Sequence, residues 1–178
     1  EPVCQYIQTY FQELEIEVTL QEVEPGRHNL LARLPGKSSD ALLFTGHMDV
    51  VPVSPAEAER WRTDPFKPVV ADGRLYGRGT SDMKSGLAAI MTTMANLKTS
   101  GFVPAHDILL AATVDEEFYM RGSEVMMKLG LPQPIRGIIV CEPTGLSLCT
   151  AGRGRTFGRI TFWGATAHGS KLGGGTNA

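Results

Sequence analysis

The stretch Ala41-Leu-Leu-Phe-Thr-Gly-His-Met-Asp-Val50 is the part of the sequence that says most about the fold. An almost wholly apolar run ends at Gly46, which is typical of a strand buried on both faces. His47 and Asp49 follow, and side chains two positions apart on a strand point the same way. A metal-binding histidine usually has its other ring nitrogen held by a carboxylate or a carbonyl group. The pair therefore fits either a metal ligand with its orienting partner or ordinary polar side chains where a strand reaches water.

Helix and strand patterns alternate on both sides of this stretch. Apolar residues recur at helical spacing in segments 3–14, 83–98 and 123–129. Strand patterns cover segments 15–24, 29–34, 41–45, 107–114, 137–141, 146–150 and 158–162. A long irregular segment runs over 50–72, and 71–74 has the composition of a turn. The alternation predicts an α/β fold, a layered sheet with flanking helices.

Composition narrows the class of partner and the compartment. The chain has 178 residues, of which 42% are hydrophobic, and this excludes a disordered chain. Its net charge of -2, with Lys and Arg scattered, predicts neither a nucleic-acid nor a membrane partner. Three cysteines without framework spacing favour reduced thiols and a cytoplasmic protein. We expect no signal peptide and no membrane span, and both ends look cut from a longer protein.

Asp82 lies where the helix pattern of 83–98 begins. Aspartate is favoured as a helix N-cap, so capping is one interpretation. The neighbouring Gly77-x-Gly79 resembles a phosphate loop, but the full glycine spacing is missing and an acidic residue at the helix start would repel phosphate. Metal binding is the third interpretation, because strand and helix ends gather at one rim of an α/β sheet, where ligands usually bind.

Two further acidic sites follow apolar strand patterns. In Asp115-Glu-Glu117, three adjacent acids repel one another unless water or a cation neutralises them. Adjacent side chains on extended backbone point apart, so Glu116 and Glu117 would suit different tasks, one holding a metal and one handling a proton. Glu142 follows the next strand pattern. Each of these sites would also fit a solvated loop at a strand end.

Taken together, one histidine and several carboxylates at neighbouring strand ends make a nitrogen and oxygen donor set. Imidazole with carboxylate suits zinc, and cobalt or manganese are alternatives. Cysteine is absent from the donor set, which argues against a closed structural zinc site. Several acids beside one histidine indicate two metals bridged by a carboxylate, about 3.5–4 Å apart.

Four segments, in this order, resemble the binuclear zinc aminoacylase and metallopeptidase family. That family includes acetylornithine deacetylase, succinyl-diaminopimelate desuccinylase, aminoacylase and the glutamate carboxypeptidases. The matching segments are Thr45-Gly-His-Met-Asp-Val-Val-Pro52, Leu75-Tyr-Gly-Arg-Gly-Thr-Ser-Asp-Met-Lys-Ser-Gly86, Asp115-Glu-Glu117 and Cys141-Glu-Pro-Thr144. The resemblance implies a zinc-hydrolase catalytic domain over 1–154, in its N-terminal part, and the first strand of an incomplete α+β lid or dimerisation domain over 155–178.

The resemblance also implies a role for each metal ligand. His47 and Glu142 would bind the first zinc, and Glu117 would bind the second. Asp82 would bridge both metals, and the peptide bond after this residue is often cis in the family.

Further roles are implied for residues that do not bind metal. Asp49 would orient His47, and Glu116 would be the general base. His168 would help to bind the substrate and stabilise the oxyanion, often across a dimer, although a polar histidine in a strand-end turn explains it too. The implied reaction is hydrolysis of an amide bond in N-acyl amino acids or small peptides, by a full-length parent that is a homodimer.

The chain departs from the family pattern in one ligand. The pattern needs one more histidine on the second zinc, and none follows His168. We therefore expect the second zinc, held by Asp82, Glu117 and solvent, to bind weakly, and this chain alone to have little or no activity. A non-catalytic relative that serves as a binding or dimerisation module is the alternative, but Asp49 and Glu116 favour the enzyme, since a module needs neither an orienting acid nor a base.

Overall fold

The computed structural model describes residues 2–152, 154, 158–165 and 175. The chain divides into two compact units, Glu1–Leu146 and Ser147–Ala178.

The first unit is built on a five-stranded sheet with flanking helices and a separate two-stranded hairpin. In chain order the elements are α1 (Pro2–Glu13), β1 (Glu17–Glu24), β2 (Arg27–Leu34), β3 (Ser38–His47), α2 (Pro55–Ala58), β4 (Val69–Ala71), β5 (Arg74–Tyr76), α3 (Lys84–Ser100), β6 (His106–Thr113), α4 (Arg121–Leu129) and β7 (Ile135–Val140). The order in the large sheet is β1-β2-β6-β3-β7. The predicted α/β fold is confirmed, and the three predicted helices and the first five strand patterns are present with small shifts in their bounds.

Strand β3 occupies the position in the sheet that assembles the site. It pairs in parallel with β6 on one side and with β7 on the other. The ladders place His47 opposite Thr113 and Thr45 opposite Val140. Because parallel strands end at the same edge of a sheet, the loops that follow these three strands leave it side by side.

Both faces are covered at the centre of the sheet, which explains why β6 is buried at all but its first position. On one face, Phe11 of α1 and Met94 of α3 pack in one cluster with Leu110. On the other face, Met126 of α4 packs in a cluster with Leu43. Each of these side chains contributes roughly 1.5–3 kcal/mol through burial. Packing of the core therefore fixes the register of the strands. The register in turn fixes where the loops at the rim of the sheet begin.

The segment 50–72 is more ordered than the sequence predicts, because it contains the one-turn helix α2 and strand β4. Ser54 caps this helix, since its Oγ accepts a hydrogen bond from the amide of Glu57 at 3.2 Å. The predicted turn over 71–74 is confirmed as the connection of the β4–β5 hairpin. Asp72 and Gly73 there have φ values of 50° and 70°, a conformation that suits Asp and Gly.

The strand patterns over 146–150 and 158–162 were wrong as structural predictions. None of the described residues in these segments belongs to a strand, and Leu148, Ile160 and Phe162 are largely exposed. A strand forms only when its backbone hydrogen-bonds to a neighbouring strand, and alternating side chains do not provide that neighbour. In the part of the chain that the structure describes, no strand pairs with these segments. The division at 154/155 into a catalytic and a lid domain stays a prediction. Among the described residues, no helix combines the length and apolar character that crossing a membrane requires.

Candidate metal centre

His47 forms the buried base of the candidate site, at the last position of β3, and only 1% of it is exposed. Its backbone N–H donates to the sulfur of Met83 at 3.0 Å. Its Nδ1 lies 3.0 Å from the backbone carbonyl oxygen of Asp49 and 3.5 Å from Oδ1 of the same residue. These contacts fix the ring and leave Nε2 as the nitrogen that faces the rim.

Three carboxylates surround Nε2 of His47. Oδ1 of Asp82 lies at 3.1 Å, Oε1 of Glu142 at 3.5 Å and Oε2 of Glu116 at 3.8 Å. They come from three separate loops: before α3, after β6 and after β7. All three side chains are partly exposed, so the site is a buried imidazole under a rim of carboxylates that solvent can reach.

Two groups of three side chains have potential ligand atoms within 4.8 Å of one another. One group is His47, Asp82 and Glu142, and the other is His47, Glu116 and Glu117. The expectation that Glu116 and Glu117 point apart was wrong, because it assumed extended backbone. The chain turns after β6, where Asp115 has a φ of 63°, and this turn brings both glutamates to the same imidazole.

The carboxylate of Asp49 makes contacts that the sequence did not predict. Its Oδ1 accepts a hydrogen bond from the backbone N–H of Glu116 at 3.2 Å, and its Oδ2 accepts one from Glu117 at 3.1 Å. Asp49 thus contacts Nδ1 of His47 through its backbone carbonyl and Oδ1, and its carboxylate also fixes the turn of Glu116 and Glu117. These partners lie 67 and 68 positions away in sequence, so no local pattern signals them.

Asp82 is not the cap of helix α3, so the first of its three interpretations fails. The N-cap position is Met83, whose side chain makes no capping hydrogen bond, and the carboxylate of Asp82 points to His47 instead. The peptide bond between Asp82 and Met83 is cis, as the family resemblance implies. Lys84 follows, and its Nζ donates to the backbone oxygen of Met48 at 3.0 Å, which joins the start of α3 to the turn after β3.

Gly86 of α3 sets the position of the loop that carries Glu142, and sequence reasoning missed it. A Cβ atom at Gly86 would lie 2.1 Å from the backbone oxygen of Cys141. Only glycine permits so close an approach of helix and strand end. A glycine inside a helical pattern is the signal for such packing, because it otherwise weakens the helix.

The charge states of the site follow from this crowding of carboxylates around one imidazole. Burial opposes the charged form of His47, but Asp49 and Glu142 outweigh it and raise the pKa of His47 to about 9. Burial also opposes the charge on Asp49, yet hydrogen bonds from His47 and from two backbone amides hold its pKa below the usual value. Burial and the charge of Asp82 raise the pKa of Glu117, and burial raises that of Glu142. The cluster therefore carries excess negative charge that a cation would relieve.

His168, the remaining site residue predicted from the sequence, lies outside the described residues.

The family model described as "Peptidase family M20/M25/M40" matches residues 43–155, a range that includes all the side chains around Nε2 of His47. The chain belongs to this family. The family resemblance drawn from the four sequence segments is thereby confirmed.

Curated relatives match nearly the whole chain. The chain is 35% identical over 168 residues to a probable succinyl-diaminopimelate desuccinylase of Staphylococcus aureus. This match covers 94% of the chain and 41% of the relative. The chain is 34% identical over 176 residues to an acetylornithine deacetylase of Vibrio campbellii, covering 99% and 45%. The chain therefore spans less than half the length of these relatives.

A solved structure shares the fold over most of the chain. The crystal structure of a tripeptidase from Staphylococcus aureus superposes with a TM-score of 0.56 at 27% identity, over 72% of this chain and 35% of the tripeptidase.

Proposed function

We propose that the natural full-length protein hydrolyses an amide bond in a small N-acyl amino acid or peptide, with zinc held at His47. The observation that carries this proposal is one buried imidazole whose Nε2 faces carboxylates from three separate loops. The desuccinylase, deacetylase and tripeptidase named among the relatives support an amide as the bond that is cleaved.

The donor distances fit zinc. Ligand atoms about 2.0–2.2 Å from a tetrahedral zinc lie roughly 3.3–3.6 Å from one another. The distances from Nε2 of His47 to Asp82 and Glu142, 3.1 and 3.5 Å, are close to that range. The first zinc would therefore be held by His47, Asp82 and Glu142. Cobalt or manganese would suit the same donors.

In this chain by itself, a second metal is expected to bind weakly. Asp82 would bridge the two metals, and Glu117 would bind the second. Both groups of potential ligands within the described residues share His47, and its Nδ1 is engaged by Asp49. One imidazole nitrogen is left, and it binds one cation.

Proton transfer is the task of Glu116 in this proposal. When bound, zinc would act as a Lewis acid that polarises the amide carbonyl and lowers the pKa of a water molecule to about 7. The carboxylate of Glu116 takes the proton of the attacking water and later gives it to the departing amine. Asp49 holds the backbone of Glu116 in place through Oδ1, so the base keeps its distance from His47. His168 would stabilise the oxyanion.

The test compares the full-length protein with its Glu116→Gln variant on a panel of acetylated and succinylated amino acids and dipeptides. We expect the wild type to hydrolyse at least one substrate class and the variant to lose about 10²–10⁴-fold in kcat. Glu124→Gln is the matched control, because Glu124 pairs with Lys128 on the surface of α4. Equal hydrolysis by wild type and Glu116→Gln contradicts the mechanism, and a zinc-loaded wild type that cleaves nothing in the panel favours the non-catalytic module.

Two further proposals concern the setting of the enzyme. A homodimer would allow His168 of one subunit to reach the site of the other. A cytoplasmic location is supported by the odd number of cysteines without framework spacing.

A further inference from the structure

The turn that carries Glu116 and Glu117 is closed at its base by Asn29 of β2. Asn29 is fully buried; its Oδ1 accepts from the amide of Val114 at 3.2 Å, and its Nδ2 donates to the carbonyl oxygen of Gly122 at 2.8 Å. The amide of Gly122 in turn donates to the carbonyl of Val114 at 3.1 Å. A Cβ atom at Gly122 would lie 2.4 Å from that carbonyl oxygen, so this closure needs glycine. The two ends of the loop are thereby joined to each other and to β2.

Within this closed loop, Asp115 makes the reversal that aims the two glutamates. Its backbone is left-handed with a φ of 63°, a conformation that Asp tolerates better than most residues. Its carbonyl oxygen accepts from the amides of Tyr119 at 3.3 Å and Met120 at 2.7 Å. The residue is only 5% exposed.

The side chain of Asp115 lies between two arginines from different elements. Nη1 of Arg27, at the start of β2, lies 3.4 Å from Oδ1, and Nε of Arg121, at the start of α4, lies 3.3 Å from Oδ2. Glu24 joins the two arginines on their other side, with contacts of 2.6 and 2.7 Å. Two positive and two negative charges thus make a neutral cluster of Glu24, Arg27, Asp115 and Arg121.

We propose that Asp115 is a positioning residue, which uses the ion pairs to Arg27 and Arg121 to hold Glu116 and Glu117 at the metal centre. What these glutamates do rests on the function proposed above. Asp49 fixes the amides of the turn, and Asp115 fixes the residue before them. The arginines neutralise a buried carboxylate that would otherwise add to the repulsion among the acids around His47. The network thereby aims the glutamates without placing a cation among the metal ligands.

The chain offers a matched control on the same strand. Asp107, at the other end of β6, is 1% exposed and also pairs with an arginine of β2, because its Oδ2 accepts from Nε of Arg33 at 2.7 Å. Asp107→Asn and Asp115→Asn therefore remove comparable buried charges from opposite ends of one strand. Only Asp115 adjoins the metal centre.

Two measurements test the proposal on the full-length protein. The first is hydrogen exchange of the amides of Glu116 and Glu117 in the metal-free state. The second is a zinc titration that resolves the binding of the first and the second zinc. For Asp115→Asn we expect loss of protection at these two amides and about 10–100-fold weaker binding of the second zinc, with the first zinc bound within about threefold of wild type. For Asp107→Asn we expect wild-type values of both quantities, although its melting temperature falls.

The other results divide as follows. Wild-type exchange and zinc binding in Asp115→Asn overturn the proposal. Equal losses in Asp115→Asn and Asp107→Asn also overturn it, because the effect would then be one of general stability. Loss of protection confined to Asp115→Asn, in a protein that binds no zinc in any form, upholds the positioning role and contradicts the proposed function instead.

A second variant covers the case in which Asp115→Asn fails to fold. Arg121→Gln removes the ion pairs of Arg121 to Asp115 and to Glu24, and the core is left intact because this side chain is 45% exposed. It is expected to reduce protection at the amides of Glu116 and Glu117 in the same direction and to a smaller extent. Unchanged protection in Arg121→Gln, with the variant folded, overturns the proposal.

Discussion

Replacing Asp49 by asparagine tests how the site is assembled, because it removes one acceptor and keeps the shape of the side chain. The carboxylate accepts from the amides of Glu116 at 3.2 Å and Glu117 at 3.1 Å. Asparagine has one acceptor oxygen, so its amino group must face one of the two N–H groups. The backbone carbonyl of residue 49 still contacts Nδ1 of His47, so the imidazole keeps most of its orientation.

The expected cost follows from these bonds. One charge-assisted hydrogen bond is lost, which leaves a partly buried N–H without its acceptor, and the other bond becomes neutral. Together these two changes destabilise the fold by about 2–4 kcal/mol. Because the freed turn carries Glu116 and Glu117, zinc affinity is expected to fall about 10–100-fold.

Urea unfolding followed by circular dichroism measures the first quantity, and zinc titration with a competing chelator measures the second. Asp64→Asn is the control, since Asp64 accepts from one exposed amide, that of Phe66 at 2.9 Å, and should cost less than about 1 kcal/mol. An Asp49→Asn protein with the stability and the zinc affinity of wild type would refute the account of this residue.

Three further predictions concern protons and packing. The pKa of His47 is raised from 6.5 to about 9 in the metal-free protein. The stability that its positive charge contributes is therefore fully present below pH 6.5 and is lost as the pH rises through about 9. The free energy of unfolding of the metal-free protein should decline between these two pH values. Zinc must displace this proton from His47 when it binds. Calorimetry in buffers of different ionisation enthalpy should therefore detect about one proton released per zinc at about pH 7.5. A zinc affinity that does not change between about pH 7 and 9 would contradict this prediction. Gly86→Ala forces α3 away from Cys141, so it should lower the free energy of unfolding by about 1–3 kcal/mol and weaken zinc binding through Glu142. Gly137→Ala in β7 is the control and should have neither effect, because a Cβ atom there meets only Leu42, at 3.5 Å.

The sequence was sufficient for the fold and for the meeting of the rim residues. Apolar strand patterns followed by His47, by Asp115-Glu-Glu117 and by Glu142 predict strands whose ends gather at one edge. The sheet order puts these three strands side by side. Hydrophobic periodicity is a local signal, and it predicts well the helices and strands that pack on the two faces of a sheet.

What the sequence could not supply depends on contacts between distant segments. The bond from Asp49 to Glu117 spans 68 positions and involves a backbone amide, which leaves no trace in residue type. The close approach of Gly86 to Cys141 becomes visible only when α3 lies on the strand end. The strand patterns over 146–150 and 158–162 failed for the related reason that alternation describes one strand, whereas a strand exists only with a partner.

The central claim is that Nε2 of His47 and the carboxylates of Asp82 and Glu142 bind zinc. Anomalous diffraction from crystals of the zinc-loaded protein tests it most directly. The account predicts a zinc peak about 2.0–2.2 Å from Nε2 of His47 and from one oxygen each of Asp82 and Glu142, with Asp49 behind Nδ1. A zinc peak that lacks His47 among its ligands, or one bound through Nδ1, would contradict it.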